Sequence, residues 1–344
     1  MDQQASKERL RTMPDQDFVI IGAEESPYSV KVRSYFRYKN IPHHWTTRAE
    51  SANIFEKHAK LPLIPLVVTP QDTGLQDSTP IIESLESQFP DPEIHPHDPV
   101  LRFLSILLEE FGDEWGNKWM FHLRWARDID QIGCSQRIAA MVNPSADEQQ
   151  LEAIAASIRK RMVDRVWFVG SNATTAPLIE SSFQDTLTLL DSHLSTRRYL
   201  FGDRPAFADF GLWGQIYNAN RDHTPASMIA RTRNIQGWID RMLSPVSRGT
   251  FETWSALKVT LFPILKTQVS SMFLRWSEAN AKAISSGDPE FSVDLGTGRW
   301  IQKPQKYHAK SLHALREKFL EFSNNQELRD ILADTGCLKH LEAA

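Results

Sequence analysis

Residues 18–38 read FVIIGAEESPYSVKVRSYFRY and predict a strand, a turn and a helix. The apolar run Phe18–Ile21 ends at Gly22, as buried strands commonly do. Ser26-Pro27 then combines a capping side chain with a proline suited to the first helical position. Apolar side chains recur at roughly helical spacing from there to Tyr38. The first domain therefore opens with a strand followed by a helix.

The residues that follow carry alternating strand and helix signals. We expect, in chain order, a strand at 43–47, a helix at 49–60, strands at 66–69 and 75–77, and a helix at 78–88. Ile64-Pro65 directly precedes the third strand, a position at which proline does not interrupt a ladder. The order β-α-β-α-β-β-α is thus predicted for the first domain.

A proline-rich segment separates this domain from a helical one. Residues 89–99 contain four prolines and cannot continue a helix. Beyond them the apolar pattern is helical almost throughout, and no second sheet is predicted. The predicted fold class is α/β plus all-α. Its parts are a loose leader at 1–16, the α/β domain at 17–88, a linker at 89–99, a helical domain at 100–243 and a helical C-terminal extension at 244–344.

Composition narrows the class of protein. The formal net charge of −4 is small, and acidic and basic residues are interspersed, so nucleic-acid binding is not expected. Cys134 and Cys337 stand far apart, outside any metal-ligand spacing, which predicts neither a disulfide framework nor a metal site. No secretory signal or membrane-spanning run is evident. We therefore expect a cytoplasmic protein that makes no use of a membrane.

Ser26 stands where the first strand meets the first helix. Backbone N–H groups and the positive end of the helix dipole would point toward a ligand of this side chain. A hydroxyl that donates a hydrogen bond to a sulfur anion contributes about 1.5–3 kcal/mol, which lowers a thiol pKa by about one to two units. For an isolated Ser-Pro-x-Ser pattern, an ordinary turn and helix cap is the usual interpretation. Both interpretations stay open from this motif alone.

Three motifs occur together along the first domain. They are Ser26-Pro-Tyr-Ser-Val-Lys-Val-Arg33, Ile64-Pro65-Leu-Val-Val and Asp77-Ser78-Thr-Pro-Ile-Ile-Glu83. In order and spacing they resemble the glutathione S-transferase superfamily, whose N-terminal domain is thioredoxin-like. The resemblance implies that Ser26 activates the glutathione thiol and that Ile64 with a cis Pro65 positions the cysteinyl part. It also implies that Asp77 with Ser78 binds the γ-glutamyl group, that glutathione is the co-substrate and that the chain forms a homodimer.

The chemistry of the third motif agrees with this resemblance. The Asp77 carboxylate suits the γ-glutamyl ammonium group. Ser78 at a helix N-terminus suits the γ-glutamyl carboxylate, through its hydroxyl and its backbone N–H. An ordinary N-cap at this pair is compatible with the same arrangement.

The first motif also resembles the Cys-Pro-Tyr-Cys of glutaredoxins, with oxygen in place of both sulfur atoms. Serine cannot form or resolve a mixed disulfide, so the pattern favours a serine-type transferase in which glutathione itself is the nucleophile. The neighbouring Tyr28 and Ser29 also carry hydroxyls and are candidate glutathione contacts. Ser26 is the preferred thiol-activating residue because it aligns with the first redox cysteine.

The helical domain carries two further signals. Trp115 and Trp119 share a helical stripe, and together with Arg124 they are candidates to line the electrophile pocket, which the resemblance places beside this helix. A core role is the ordinary interpretation of such an aromatic stripe. Asp209 resembles the family's buried capping acid, although Ala206 stands where a capping hydroxyl is usual.

The C-terminal extension departs from the family pattern. Its basic side chains Arg299, Lys303, Lys306 and Lys310 could meet an anionic substrate or form a solvated face. The ligand of the glycyl carboxylate stays open among Arg48, Lys57, His58 and Lys60. The sequence predicts conjugation of glutathione to a small hydrophobic electrophile. A non-catalytic binding or scaffold protein on the same fold is the alternative.

Overall fold

The computed structural model describes residues 17–342, so the predicted leader at 1–16 lies outside the described residues. The N-terminal domain has the predicted order of strands and helices. Its elements are β1 (Phe18–Ile21), α1 (Pro27–Tyr38), β2 (His43–Thr46), α2 (Ala52–His58), β3 (Leu66–Val68), β4 (Gly74–Gln76) and α3 (Ser78–Glu86). The β-α-β-α-β-β-α prediction is confirmed.

The four strands form one sheet in the order β2-β1-β3-β4. β1 is parallel to β2 and antiparallel to β3, and β3 is antiparallel to β4. In this register Ile21, Leu66 and Gln76 stand side by side. The turn after β1, the residues before β3 and the residues after β4 therefore share one edge of the sheet.

The chain beyond the linker is helical up to the extension. Its helices are α4 (Pro99–Glu110), α5 (Asn117–Ala126), α6 (Asp128–Val142), α7 (Glu148–Val163), α8 (Ala176–His193), α9 (Phe207–Ala219), α10 (His223–Ile229) and α11 (Arg233–Leu243). A π-helical segment, Phe111–Gly116, joins α4 to α5. A short 3₁₀ turn, Val166–Val169, precedes α8.

Asp209 holds a buried turn together at the start of α9. Its carboxylate accepts hydrogen bonds from the backbone N–H of Ala206 at 2.8 Å and of Leu200 at 3.0 Å. The indole of Trp238 donates a third, at 2.8 Å. The acid thus caps through backbone N–H groups, without a hydroxyl at Ala206.

The extension is mainly helical, as predicted, but it also contains a two-stranded sheet, which the sequence analysis did not predict. It comprises α12 (Trp254–Ile264), a π-helical segment (Leu265–Leu274), α13 (Arg275–Ser286), β5 (Phe291–Asp294), β6 (Arg299–Gln302), α14 (Lys306–Leu320), α15 (Gln326–Thr335) and α16 (Leu338–Leu341). β5 and β6 pair antiparallel, where the sequence analysis predicts no sheet. The hairpin forms because Trp300 and Gln302 alternate inward from β6 and are buried.

The extension packs directly on the helical domain. The Trp115 ring lies 5.9 Å from that of Trp276 and 5.4 Å from that of Trp300, and the Phe103 ring lies 5.3 Å from that of Phe319. One continuous apolar cluster runs from β1 into α16. Within residues 17–342 there is no helix with the length and apolar character to cross a membrane.

Candidate functional site

Ser26 caps the N-terminus of α1. Its Oγ accepts a hydrogen bond from the backbone N–H of Ser29 at 3.2 Å, and Pro27 occupies the first turn. The side chain is partly exposed. In this cap the Ser26 Oγ is the acceptor. Among the described residues, the Ser26 hydroxyl donates its own hydrogen to no acceptor. A hydrogen-bond donor is thus available at the positive end of a helix.

The neighbouring hydroxyls are engaged or enclosed. The Tyr28 phenol donates to the backbone carbonyl of Asp113 at 3.1 Å. Burial, followed by the charges of Glu114 and Asp113, raises the pKa of Tyr28 well above its ordinary value, so the phenol stays protonated. Ser29 is 0% exposed, and its Oγ has no hydrogen-bond partner in the described part of the chain. Ser26 therefore carries the accessible hydroxyl of this motif.

The second and third motifs meet Ser26 at the shared edge of the sheet. The Ile64–Pro65 peptide is cis and directly precedes β3. Asp77 follows β4 with a φ of 75° and a ψ of 126°, a strained backbone conformation that residues other than glycine rarely adopt. Asp77 is exposed, whereas Ser78 is buried at the start of α3. The fold therefore brings the three predicted motifs to one face.

The Ser78 hydroxyl points into a buried polar cluster. Lys31 lies at the centre: its Nζ is 2.6 Å from Asp113 Oδ2, 2.8 Å from Thr79 Oγ1 and 3.3 Å from Ser78 Oγ, and it also contacts Glu109. Burial acts to lower the pKa of Lys31, but the carboxylates of Asp113 and Glu109 outweigh it and hold the pKa above its ordinary value. The cluster joins α1 and α3 to the helical domain beneath the candidate site.

The extension reaches the same face from the other side. The Tyr307 hydroxyl donates to Asp77 Oδ2 at 3.2 Å. The next residue, His308, pairs with Glu114, whose other oxygen accepts from Ser311 at 3.1 Å. α14 is therefore fastened beside Asp77 by contacts that the sequence motifs do not indicate.

Trp115, Trp119 and Arg124 occupy core positions. Trp115 and Trp119 are 0% and 1% exposed, and both indoles donate to Ser182 Oγ, at 2.9 and 3.1 Å. The Arg124 Nε is 2.7 Å from Asp222 Oδ2 in a buried ion pair. These placements fit the core interpretation of the aromatic stripe.

The open candidates for the glycyl carboxylate lie near α2. Lys57 Nζ is 2.5 Å and His58 Nε2 is 2.8 Å from the Asp72 carboxylate. The Arg48 guanidinium stacks over the Phe55 ring at 4.3 Å. The geometry singles out none of them as a ligand.

Two family models match the chain. The model for "Glutathione S-transferase, N-terminal domain" matches residues 20–93, and that for "Glutathione S-transferase, C-terminal domain" matches residues 144–241. Together they cover half of the chain, and the extension lies outside both. A comparison with curated proteins gives no match.

Solved structures of low identity are also similar. A glutathione S-transferase from Methylobacterium radiotolerans, in complex with glutathione sulfonate, is 19% identical with a TM-score of 0.38 over 69% of this chain and 99% of that chain. A glutathione S-transferase from Methylobacillus flagellatus, with glutathione bound, is 16% identical with a TM-score of 0.40 over 66% and 95%. The β-etherase LigF from Sphingobium sp. strain SYK-6 is 19% identical with a TM-score of 0.46 over 66% and 95%.

The two family models agree with the two domains seen in the structure. A thioredoxin-like β-α-β-α-β-β-α domain is followed by a helical domain with a buried capping acid at Asp209. The chain belongs to the glutathione S-transferase superfamily.

Proposed function

We propose that this chain is a glutathione transferase that binds glutathione at the edge formed by Ser26, Pro65 and Asp77. The hydroxyl of Ser26 lowers the pKa of the glutathione thiol, and the thiolate attacks an electrophilic carbon of an apolar substrate. A carbon–sulfur bond forms as the bond to the leaving group breaks. The leaving group departs with the bonding electron pair, and the thiol proton passes to solvent.

The observation that carries this proposal is the availability of one hydroxyl. Tyr28 is committed to Asp113, and Ser29 is enclosed, whereas Ser26 is accessible with its hydrogen free of any described acceptor. A sulfur anion at the N-terminus of α1 would gain this donor together with the helix dipole. Both interactions favour the thiolate over the neutral thiol.

The exposed carboxylate of Asp77 supports the second half of the proposal. An ammonium group can bind the oxygen that Tyr307 leaves free. The backbone N–H groups at the start of α3 suit the γ-glutamyl carboxylate, because the Ser78 hydroxyl is directed toward Lys31. Tyr28, Ser29 and Ile64 contribute to the glutathione site through their backbone and through packing.

Calorimetric titration with glutathione tests the binding half. Asp77→Asn keeps an oxygen for the Tyr307 hydroxyl but removes the charge, so we expect glutathione affinity to fall about 10- to 100-fold, equivalent to about 1.5–3 kcal/mol. Asp185→Asn, at an exposed position on α8, is the matched control and should bind like the wild type. Absence of binding by the wild type, or unchanged affinity in Asp77→Asn, would refute the site.

One observation favours the non-catalytic alternative: Tyr307 already occupies one oxygen of Asp77. A scaffold protein that no longer binds glutathione could retain such a contact.

We also propose a cytoplasmic homodimer, as the family resemblance implies. Light scattering of the full chain tests the dimer.

A further inference from the structure

An open groove lies where the extension meets the helical domain. It has a volume of about 690 Å³ and runs between the 3₁₀ turn Val166–Val169, the end of α13 and the segment that leads into α14. Neither family model covers the extension side of this groove. It is therefore a feature that this chain adds to the common fold.

Aromatic side chains form much of the groove wall. Trp167 and Phe168 are 50% and 45% exposed, with ring centres 6.1 Å apart in an edge-to-face arrangement. Tyr307 lines the groove and is 53% exposed. Rings held open to solvent in a concave surface provide stacking faces for a flat ligand.

The charged side chains of the groove are mainly basic. Lys303 and Lys306 line it together with a single acid, Asp288, and neither lysine forms an ion pair within the described chain. The Lys303 ammonium lies 5.9 Å from the centre of the Trp167 ring. An adjoining cavity of about 240 Å³ shares Trp167 and Lys303 and contains Glu290. The groove itself thus places two cations beside its aromatic wall.

Tyr307 connects the groove to the candidate glutathione site. Its ring lines the groove while its hydroxyl donates to Asp77 Oδ2 at 3.2 Å. A molecule in the groove would lie one tyrosine side chain away from glutathione bound at Asp77.

We propose that this groove binds the acceptor substrate and selects an aromatic compound that carries a carboxylate. The proposal rests on the proposed function. The aromatic ring stacks on Trp167 and Phe168, and the carboxylate faces Lys303 and Lys306. When the ring of such a compound also carries a halide, the glutathione thiolate displaces it: the carbon–sulfur bond forms, the carbon–halide bond breaks, the halide leaves with the electron pair and the thiol proton goes to solvent.

Binding is tested first, without glutathione. Calorimetry with a chloronitrobenzoate should detect an association that weakens about tenfold in Lys303→Gln/Lys306→Gln. Trp167→Leu should weaken it further, through lost stacking. Lys258→Gln, an exposed lysine on α12, is the control and should leave the affinity unchanged. Equal affinity in the wild type and the double variant would overturn the proposal.

Turnover then compares the chloronitrobenzoate with the neutral chlorodinitrobenzene. The double variant should lose about tenfold in kcat/KM for the charged acceptor and retain its value for the neutral one. An equal loss for both acceptors, or no loss for either, would overturn the groove assignment while the transferase function stands. Groove-dependent binding without turnover of either acceptor would leave the groove as a site for aromatic carboxylates and overturn its role as the acceptor site.

Discussion

The hydroxyl of Tyr307 donates a hydrogen bond to Asp77 Oδ2 at 3.2 Å, although the two residues are 230 positions apart in sequence. The extension thereby fixes the orientation of an otherwise exposed carboxylate. We predict that Tyr307→Phe weakens glutathione binding about two- to tenfold, because the carboxylate must then be ordered when the ligand binds.

Calorimetry on a double-mutant cycle with Asp77→Asn checks this prediction. The effects of the two substitutions should be less than additive. Tighter binding by Tyr307→Phe would instead show that the phenol competes with glutathione.

The buried cluster around Lys31 predicts a large loss of stability on truncation. Lys31→Met leaves the enclosed Asp113 and Glu109 carboxylates without their cation, so the free energy of unfolding should fall by about 3–5 kcal/mol. Urea denaturation measures it. Lys57→Met, which breaks an exposed pair with Asp72, is the control and should change stability little. Equal effects of the two substitutions would contradict the assigned role of the cluster.

Gly170 packs closely against the β5–β6 hairpin, so we expect a larger residue at this position to destabilise the protein. It has a φ of 81°, and an added Cβ would lie 2.4 Å from the Trp300 ring. Gly170→Ala should therefore cost about 2–5 kcal/mol of unfolding free energy, from the left-handed conformation together with the steric clash. Gly287 has a φ of 72° and nothing near its Cβ position, so Gly287→Ala should cost only about 1–2 kcal/mol. Thermal denaturation of both variants separates the cost of the left-handed backbone from the cost of the steric clash. Equal losses of stability would show that an added Cβ at position 170 meets no clash with the Trp300 ring.

Lys118 predicts a pH-dependent contribution to stability. It is fully buried, with its Nζ 3.5 Å from the centre of the Trp276 ring, and burial lowers its pKa to about 7 while Glu114 opposes the shift. Because the unfolded state then binds the proton more tightly, the free energy of unfolding rises with pH between about pH 7 and about pH 10.

Comparison with Lys118→Met isolates this contribution. The stability of the wild type relative to the variant should increase by up to about 1.4 kcal/mol per pH unit over that range. Lys160→Met, at an exposed position, should show no such trend. A constant difference across the range would mean that Lys118 stays charged against the tryptophan rings.

Local patterns predicted the N-terminal domain because each strand and helix there has its own signal. The Ser26 cap and the proline before β3 could be predicted from the sequence for the same reason. The Lys31 cluster was not, because its partners Glu109 and Asp113 are 78 and 82 positions away and no local pattern marks a buried lysine. The hairpin of Phe291–Asp294 and Arg299–Gln302 lacks such a local signal, because the burial of Trp300 depends on its packing against Trp115 in the helical domain. Tyr307 joins the site through tertiary packing alone.

The pKa of the glutathione thiol in the binary complex tests the central claim most directly. Ultraviolet absorbance of the thiolate, followed by pH titration, should give a pKa near neutrality for the wild type. Ser26→Ala should raise it by about one to two units, and Ser26→Thr, which keeps the hydroxyl, should restore it. The same thiol pKa in the wild type and in Ser26→Ala would contradict the account.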